Sequence, residues 1–357
     1  MTPPGDLASL DRKLVPKRDK KEVKVSRMIR CCVICVAVVC MFCGSMVLGA
    51  EKPKDYPRRP VTVIVPFGAG GGADSMARTF LQQVSKNLGV PVIVVNKPGG
   101  NATLGFNDFW TAPADGYTLL QYNDDGVTHY VSGILKQNPT KDYIPLAIGQ
   151  VVYSQIYIRK NDPRFHDWES FVKYAKAHPG EVTLGNIAQR GNLEEVQAVQ
   201  LEKAGNIKFR QISFDKPSER YAALVGGHVD ALLEQPGDVA PYLKSGDMKP
   251  IISFTDTRPQ EFQDIPCLKD LDPSVKNVYK VRGFYMNPKM SRDKQEYLLD
   301  VFKKAYESKE FQNYINDKYP AEKKYRNYDE IIALLNDMIG TYTQTYKDLG
   351  YTEPQKK

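Results

Sequence analysis

Apolar positions along this chain fall into two alternating rhythms. Short runs dense in β-branched and aromatic residues read as strands, and longer stretches with apolar residues at i, i+3, i+4 spacing read as helices. The expected strands are Val61–Pro66, Val92–Val95, Thr118–Gln121, Val151–Ile158, Val182–Gly185, Phe209–Ile212, Ala231–Leu233 and Ile251–Phe254. Helices are expected over 74–88, 103–111, 167–177, 192–204, 217–226 and 237–244, with a mostly helical last third at 291–307, 309–316 and 328–348. Strand-then-helix alternation with short connections is the mark of α/β sheets with parallel strands. A crossing between two lobes is expected near 150–158, and a return near 255–280, a stretch rich in Pro, Asp and Lys. Lobe 1 would then comprise 51–155 plus 275–357, and lobe 2 would comprise 156–274. No internal repeat or low-complexity tract breaks the pattern.

The sharpest local signal is residues 61–74, Val-Thr-Val-Ile-Val-Pro-Phe-Gly-Ala-Gly-Gly-Gly-Ala-Asp. A β-branched run meets a glycine bend, and an amphipathic helix follows in which Met76, Ala77, Phe80, Leu81, Val84 and Leu88 share a face, with Gly89 as its stop. Such a turn gathers backbone N–H groups at the positive end of a helix and so favours an anion. A second loop, Asn96-Lys97-Pro98-Gly99-Gly100-Asn101-Ala102-Thr103, again sets a glycine bend between strand and helix. Adjacent parallel strands present such loops to one crevice. Either loop alone is as well explained as a tight turn. Together they form a clamp for a carboxylate.

Residues 1–30 hold nine Lys/Arg and four Asp/Glu, and from Cys31 to Ala50 there is no charge. A basic flank, an apolar core and a small-residue exit at Val47-Leu48-Gly49-Ala50 describe an export signal. The apolar core is long, so an uncleaved anchor is the alternative, and Met28 is an alternative start. Residues 1–50 are therefore read as extension and signal, and the rest as periplasmic, tethered to the membrane if the signal is retained. Five of the six cysteines lie in that segment, leaving Cys267 and no intramolecular disulfide. Beyond residue 50 the chain has 40 basic and 38 acidic residues, a net of +2 rather than +7. The basicity belongs to the leader, and nothing points to nucleic acid.

Gly68-Ala69-Gly70-Gly71-Gly72-Ala73 also fits the dinucleotide pattern G-x-G-x-x-A. A nicotinamide site wants an acid at the end of the next strand to hold the ribose, and here that strand ends in Asn96. The four histidines lack metal-ligand spacing, no G-x-S-x-G elbow exists, and Cys267 sits beside Pro266 without an obvious base. No enzyme, cofactor or metal is expected. Tyr122, Asn123, Asp124 and Asp125 follow a strand and could edge the crevice, although paired acids in a loop are usually just solvated.

At these loops the sequence resembles the substrate-binding proteins of tripartite tricarboxylate transporters, the Bug family. The likeness runs through Tyr56-Pro-Arg-Arg-Pro, Pro66 to Asp74, Asn96 to Gly105, Ala114-Asp-Gly-Tyr-Thr-Leu-Leu120, Gly226-Gly-His-Val-Asp230 and Ile265-Pro-Cys-Leu-Lys-Asp270. The resemblance implies a two-lobed α/β clamp of the periplasmic-binding-protein type, each lobe a mostly parallel sheet flanked by helices, with the C-terminal helices on the first lobe. It implies a monomer that captures a small organic acid and passes it to two permease subunits. Carried over by position, the ligand contacts fall on Gly68, Ala69, Gly71, Gly72 and Asp74, and on Pro98, Gly100, Asn101 and Thr103. A carboxylate beside an anion is repulsive, so Asp74 is read as accepting N–H bonds that shape the helix start, or as meeting the ligand through water.

The chain departs from the family pattern at Gly185-Asn186-Ile187-Ala188-Gln189-Arg190-Gly191-Asn192, where a Gly/Ser-rich loop is usual. Asn186 is placed in the site there. Arg190 either grips a second ligand carboxylate with two bonds or points into solvent. Asp215 matches a family position, and Glu234-Gln235-Pro236 follows a strand that ends near the cleft. Which acid is bound stays open. A ligand sensor for a membrane receptor is an alternative role on the same fold, and a nicotinamide-dependent oxidoreductase using the Gly68–Ala73 turn is a further one.

Overall fold

The computed structural model of the protein describes residues 50–187, 191–214 and 216–351. The run Val61–Val65 (β1) is followed by the helix Gly72–Leu88 (α1), the strand Val92–Asn96 (β2), the helix Thr103–Thr111 (α2), the strand Thr118–Asn123 (β3) and the short helix Asp125–Val131 (α3). β2 and β3 pair with β1 from opposite sides, both parallel to it. The chain thus reverses its direction of travel across the sheet after β2. Right-handed crossovers then put α1 and α2 on opposite faces. Alternation along β1 fits this. Val61, Val63 and Val65 bury with Phe80, Leu81 and Val84 of α1, while Ile64 buries with Phe106 and Phe109 of α2. Each of these fully buried side chains stabilises the fold by roughly 1.5–3 kcal/mol.

The apolar run Val151–Ile158, expected as one strand, is divided. Val151 and Val152 end the strand Ile144–Val152 (β4), and Gln155–Ile158 lie in the strand Gln155–Arg159 (β5), which belongs to a different sheet. Tyr153 and Ser154 make the passage and are both buried, so polarity leaves no trace of the break. Next come the helix Trp168–Ala177 (α4), the strand Thr183–Asn186 (β6), the helix Leu193–Gly205 (α5), the strand Arg210–Ser213 (β7), the helix Pro217–Val225 (α6), the strand Ala231–Glu234 (β8), the helix Ala240–Ser245 (α7) and the strand Met248–Ser253 (β9). β7 and β8 flank β6, both parallel to it, which repeats the arrangement around β1. Ala198 and Leu201 of α5 bury on one face of this sheet, and Ala223 and Leu224 of α6 on the other.

After the one-turn helix Leu268–Leu271 (α8), the strand Lys280–Met286 (β10) returns to the first sheet. It is followed by the helices Arg292–Glu307 (α9) and Lys309–Asn316 (α10), the strand Pro320–Glu322 (β11) and the helix Tyr328–Asp348 (α11). The strand orders are β11-β4-β10-β3-β1-β2 and β7-β6-β8-β5-β9. Among the described residues, parallel strand pairs occur in the triplets around β1 and β6, and the strand pairs made by β4, β5, β9, β10 and β11 are antiparallel, with a single parallel bridge from Ser253 of β9 to Cys267. β10 is buried throughout yet carries Lys280 and Arg282, which hid it from a reading by apolar pattern. α9 and α10 cover one face of the first sheet and α11 the other. Leu193 and Val196 of α5 join that second face, and the Tyr346 hydroxyl of α11 donates to the Gly191 carbonyl.

Candidate functional site

β1 and β2 are neighbours, so the turns that follow them leave the same edge of the sheet. Both open on one cavity of about 690 Å³, with Gly68, Ala69, Gly71 and Gly72 on one stretch of wall and Pro98, Gly100 and Asn101 on the next. Gly71 caps α1 and Ala102 caps α2, neither with a side-chain bond. The first-turn N–H groups of α1 are thus free of a side-chain cap, as an anion cradle requires, whereas in α2 those of Thr103 and Leu104 donate to the Gly100 and Gly99 carbonyls at 3.2 and 3.4 Å. From Gly99 to Ala102 four successive residues hold positive φ, at 118°, 57°, 55° and 63°. That conformation suits glycine but strains Asn101 and Ala102, and strain of this kind gathers at ligand clamps. Thr103 stands behind the turn, its hydroxyl donating to the Gly100 carbonyl at 2.5 Å.

Asp74 is 4% exposed and ties the two turns together. Its carboxylate accepts from the Gly70 amide at 3.0 Å, from Arg78 Nε at 3.0 Å and from Asn96 Nδ2 at 2.9 Å. Asn96 also donates to the Phe67 carbonyl at 3.1 Å. Burial by itself would raise the Asp74 pKa, but the Arg78, Gly70 and Asn96 bonds together hold it below the ordinary carboxylate value. The side chain therefore shapes the first turn from beneath.

The facing wall is built differently. It is made of residues at or just past the ends of β6, β7 and β8, including Ile187, Phe214, Glu234 and Gln235, together with Pro217 and Arg220 of α6. These are the carboxyl-end loops of the second parallel triplet. Arg220 is 2% exposed and lies between two buried carboxylates, donating to Glu194 at 2.8 Å and to Glu234. Glu234 also accepts from the Tyr221 hydroxyl at 2.8 Å. The two carboxylates hold Arg220 charged against the cost of burial, and burial pushes Glu234 above its ordinary value. Asn186 is fully buried behind this wall, with its amide donating to Gln211 at 2.6 Å. Arg190 and Asp215 lie outside the described residues.

β10 supplies the floor. Lys280 and Arg282, two residues apart, share a face of the strand and both line the cavity. Arg282 donates to Gln150 at 2.9 Å on its own sheet, and to Gln235 at 3.1 Å and Asp238 at 2.5 Å from the second half. A Cβ on Gly72 would overlap the Asp238 carboxylate and the Arg282 guanidinium, and one on Gly71 would come within 3.0 Å of Pro217. Asp124 and Asp125 are buried rather than solvated, because Lys280 stands within 3.4 Å of Asp124. Burial still pushes the Asp124 pKa up to about 7 despite the pull of Lys280. Glu194, Arg220, Asp238, Lys280 and Arg282 escaped the sequence reading. The one available hint was a pair of cations at i, i+2 inside an otherwise apolar run.

The family described as tripartite tricarboxylate transporter family receptor matches residues 76–350. The chain belongs to that family. A protein of Cupriavidus necator known as UPF0065 protein in gbd 5'region is 27% identical over 323 residues, covering 90% of this chain and 97% of its own. Protein BugT of Bordetella pertussis is 27% identical over 243 residues, covering 66% and 73%. Among solved structures, the periplasmic binding protein BugD shares 22% identity with a TM-score of 0.73 over 84% of this chain and all of its own. MatC of Rhodopseudomonas palustris with bound malate shares 23% at 0.72 over 81% of this chain and 99% of its own. A second R. palustris protein, with adipate, shares 18% at 0.74 over 83% and 99%. These likenesses establish the two-sheet binding-protein fold, and the family is one of solute-binding receptors rather than enzymes. Among the described residues, no helix is long and apolar enough to cross a membrane.

Proposed function

We propose that this receptor works outside the cytoplasmic membrane, without catalysis, capturing a small organic acid and handing it to two permease subunits. The cleft lies between a lobe of residues 51–155 plus 275–357 and a lobe of 156–274. The observation that carries the reading is the pair of glycine turns, after β1 and β2, on one cavity wall. Malate and adipate in the R. palustris neighbours are carboxylates, which supports the class of ligand. Micromolar capture requires about 8 kcal/mol. A helix dipole offers roughly 0.3–1 kcal/mol per charge, and each hydrogen bond to a carboxylate roughly 1.5–3 kcal/mol. Several converging N–H groups are therefore needed, and two turns can provide them where one cannot. The first head-group contacts are assigned to Gly68, Ala69, Gly71, Gly72, Pro98, Gly100 and Asn101, with Asp74 and Thr103 holding the turns in shape. Screening the protein against organic acids by thermal shift, followed by calorimetry, should reveal a binder with a stoichiometry of one. Binding that survives bulky substitution in both glycine turns would defeat the assignment.

A further inference from the structure

We propose that Gly237, which lies outside the cavity, is a positioning residue for binding, and that its missing side chain sets how closely the two halves of the molecule shut on a ligand. The inference rests on the reading of an acid held between the halves and adds a residue that the acid never touches.

The loop from Gln235 to Asp238 leaves β8 of the second sheet and seats on elements of the first half. Asp238 pairs with Arg282 of β10 beside Gly72, where α1 begins, and Gln235 accepts from the same guanidinium at 3.1 Å. Between them Gly237 is buried against Lys318, just past α10, whose ammonium donates to the Gly237 carbonyl at 2.8 Å. α10 is itself tied to α1, the Tyr314 hydroxyl donating to the Ser75 hydroxyl at 3.3 Å. Gln235 and Asp238 line the cavity, whereas Gly237 and Lys318 are not among its lining residues. The seat thus continues the cavity floor on the side where the halves face each other, with one contact beyond a ligand's reach.

That contact has no slack. A Cβ on Gly237 would lie 2.6 Å from the Lys318 carbonyl oxygen and 2.8 Å from its Cα, which are main-chain atoms rather than the end of a movable side chain. The Lys318 amide is held by the Ile315 carbonyl at 3.0 Å, and Ile315 is buried in the core of the first half. Gly237 is not in the left-handed region, so its own loop would accept alanine. Only the other half stands in the way. A side chain at 237 is relieved by parting the halves, which draws Pro217 and Asp238 away from the glycine turn after β1. A ligand that binds the shut arrangement then meets a smaller competent population, and its apparent Kd rises in proportion.

The test is calorimetry on the purified protein and its variants, with the dicarboxylates from malonate to adipate and the matching monocarboxylates as probes, beside urea unfolding without them. Gly237→Ala should raise Kd about tenfold, the penalty of a tight overlap, by one common factor for every acid that binds. Lys318→Met, which loosens the seat without filling it, should raise Kd about threefold. A parent-like Kd in Gly237→Ala, even with a lowered urea midpoint, marks a glycine needed only for folding and overturns the inference while leaving the carboxylate reading intact. Factors that differ from acid to acid would place residue 237 against the ligand and overturn it too. Failure of every probe to bind the parent overturns both. Should Gly237→Ala not fold, Lys318→Met decides, and an unchanged Kd there overturns the inference.

Discussion

The two parallel triplets, β2-β1-β3 and β7-β6-β8, have the same topology and opposite chemistry. In each, the middle strand is followed by a neighbour on one side and then by a neighbour on the other, which leaves a crevice at the carboxyl ends. The turns after β1 and β2 line the first crevice largely with main chain, while Asn123 and Asp125, at and just past the end of β3, add polar side chains to it. The second fills the corresponding place with a buried Glu194–Arg220–Glu234 triad. Main chain cannot titrate and holds little rotamer freedom, so the first wall suits the part common to all carboxylates. Side chains differ in length, charge and reach, so the second wall suits discrimination. On the proposed reading, one topology would serve capture on one side and choice on the other.

The largest effect that would separate the two walls is expected at Arg220. Arg220→Ala leaves Glu194 and Glu234 buried without their cation, a loss of about 3–5 kcal/mol of stability. Urea unfolding would measure it, and a loss under about 1 kcal/mol, the range of an exposed pair, would mean that the triad is not desolvated as described. Next comes the carboxylate beneath the floor. Asp124 keeps its proton to about pH 7 in the folded chain, against about 3.9 when unfolded. The folded state therefore binds more protons between those values. Stability present below about pH 4 is lost as pH rises to about 7, by on the order of 1.4 kcal/mol for each pH unit crossed. Comparing unfolding free energies of the parent and Asp124→Asn across pH 4 to 8 should show a shallower fall in the variant. Parallel curves would exclude Asp124 as the source. The smallest stability change is expected at Gly72→Ala, where a methyl group overlaps the Asp238–Arg282 pair and overpacking costs about 1–3 kcal/mol. It should also weaken binding at least tenfold in Kd. If binding is untouched, the glycine wall is not where the head group rests.

Most of the elements were legible because their apolar periods match the faces they bury. α1 is such a case, its inward stripe from Met76 to Leu88 being buried as its spacing requires. The neutral wall was legible for a related reason. Glycine bends flanked by strand and helix build a site from backbone alone, and the backbone's conformation is encoded locally. The charged wall was not. Lys280 and Arg282 look like surface residues and are buried only because partners from β3, β4 and the loop after β8 converge on them. Asp124 and Asp125 misled in the same way, and the break at Tyr153–Ser154 was invisible because both residues are as buried as the strands on either side.

By itself, then, the amino-acid order determined the alternation of strands and helices, the two glycine turns and the family to which they belong. These features depend on neighbours a few residues apart in the chain. Tertiary structure alone decided which sheet each half of 151–158 joins, that two acids after β3 are buried, and that the cations of β10 and α6 already have partners. Whether a charge is available to a ligand depends on groups more than a hundred residues away, as with Arg282 and Gln150 or Lys280 and Asp124, and local pattern carries no information about them.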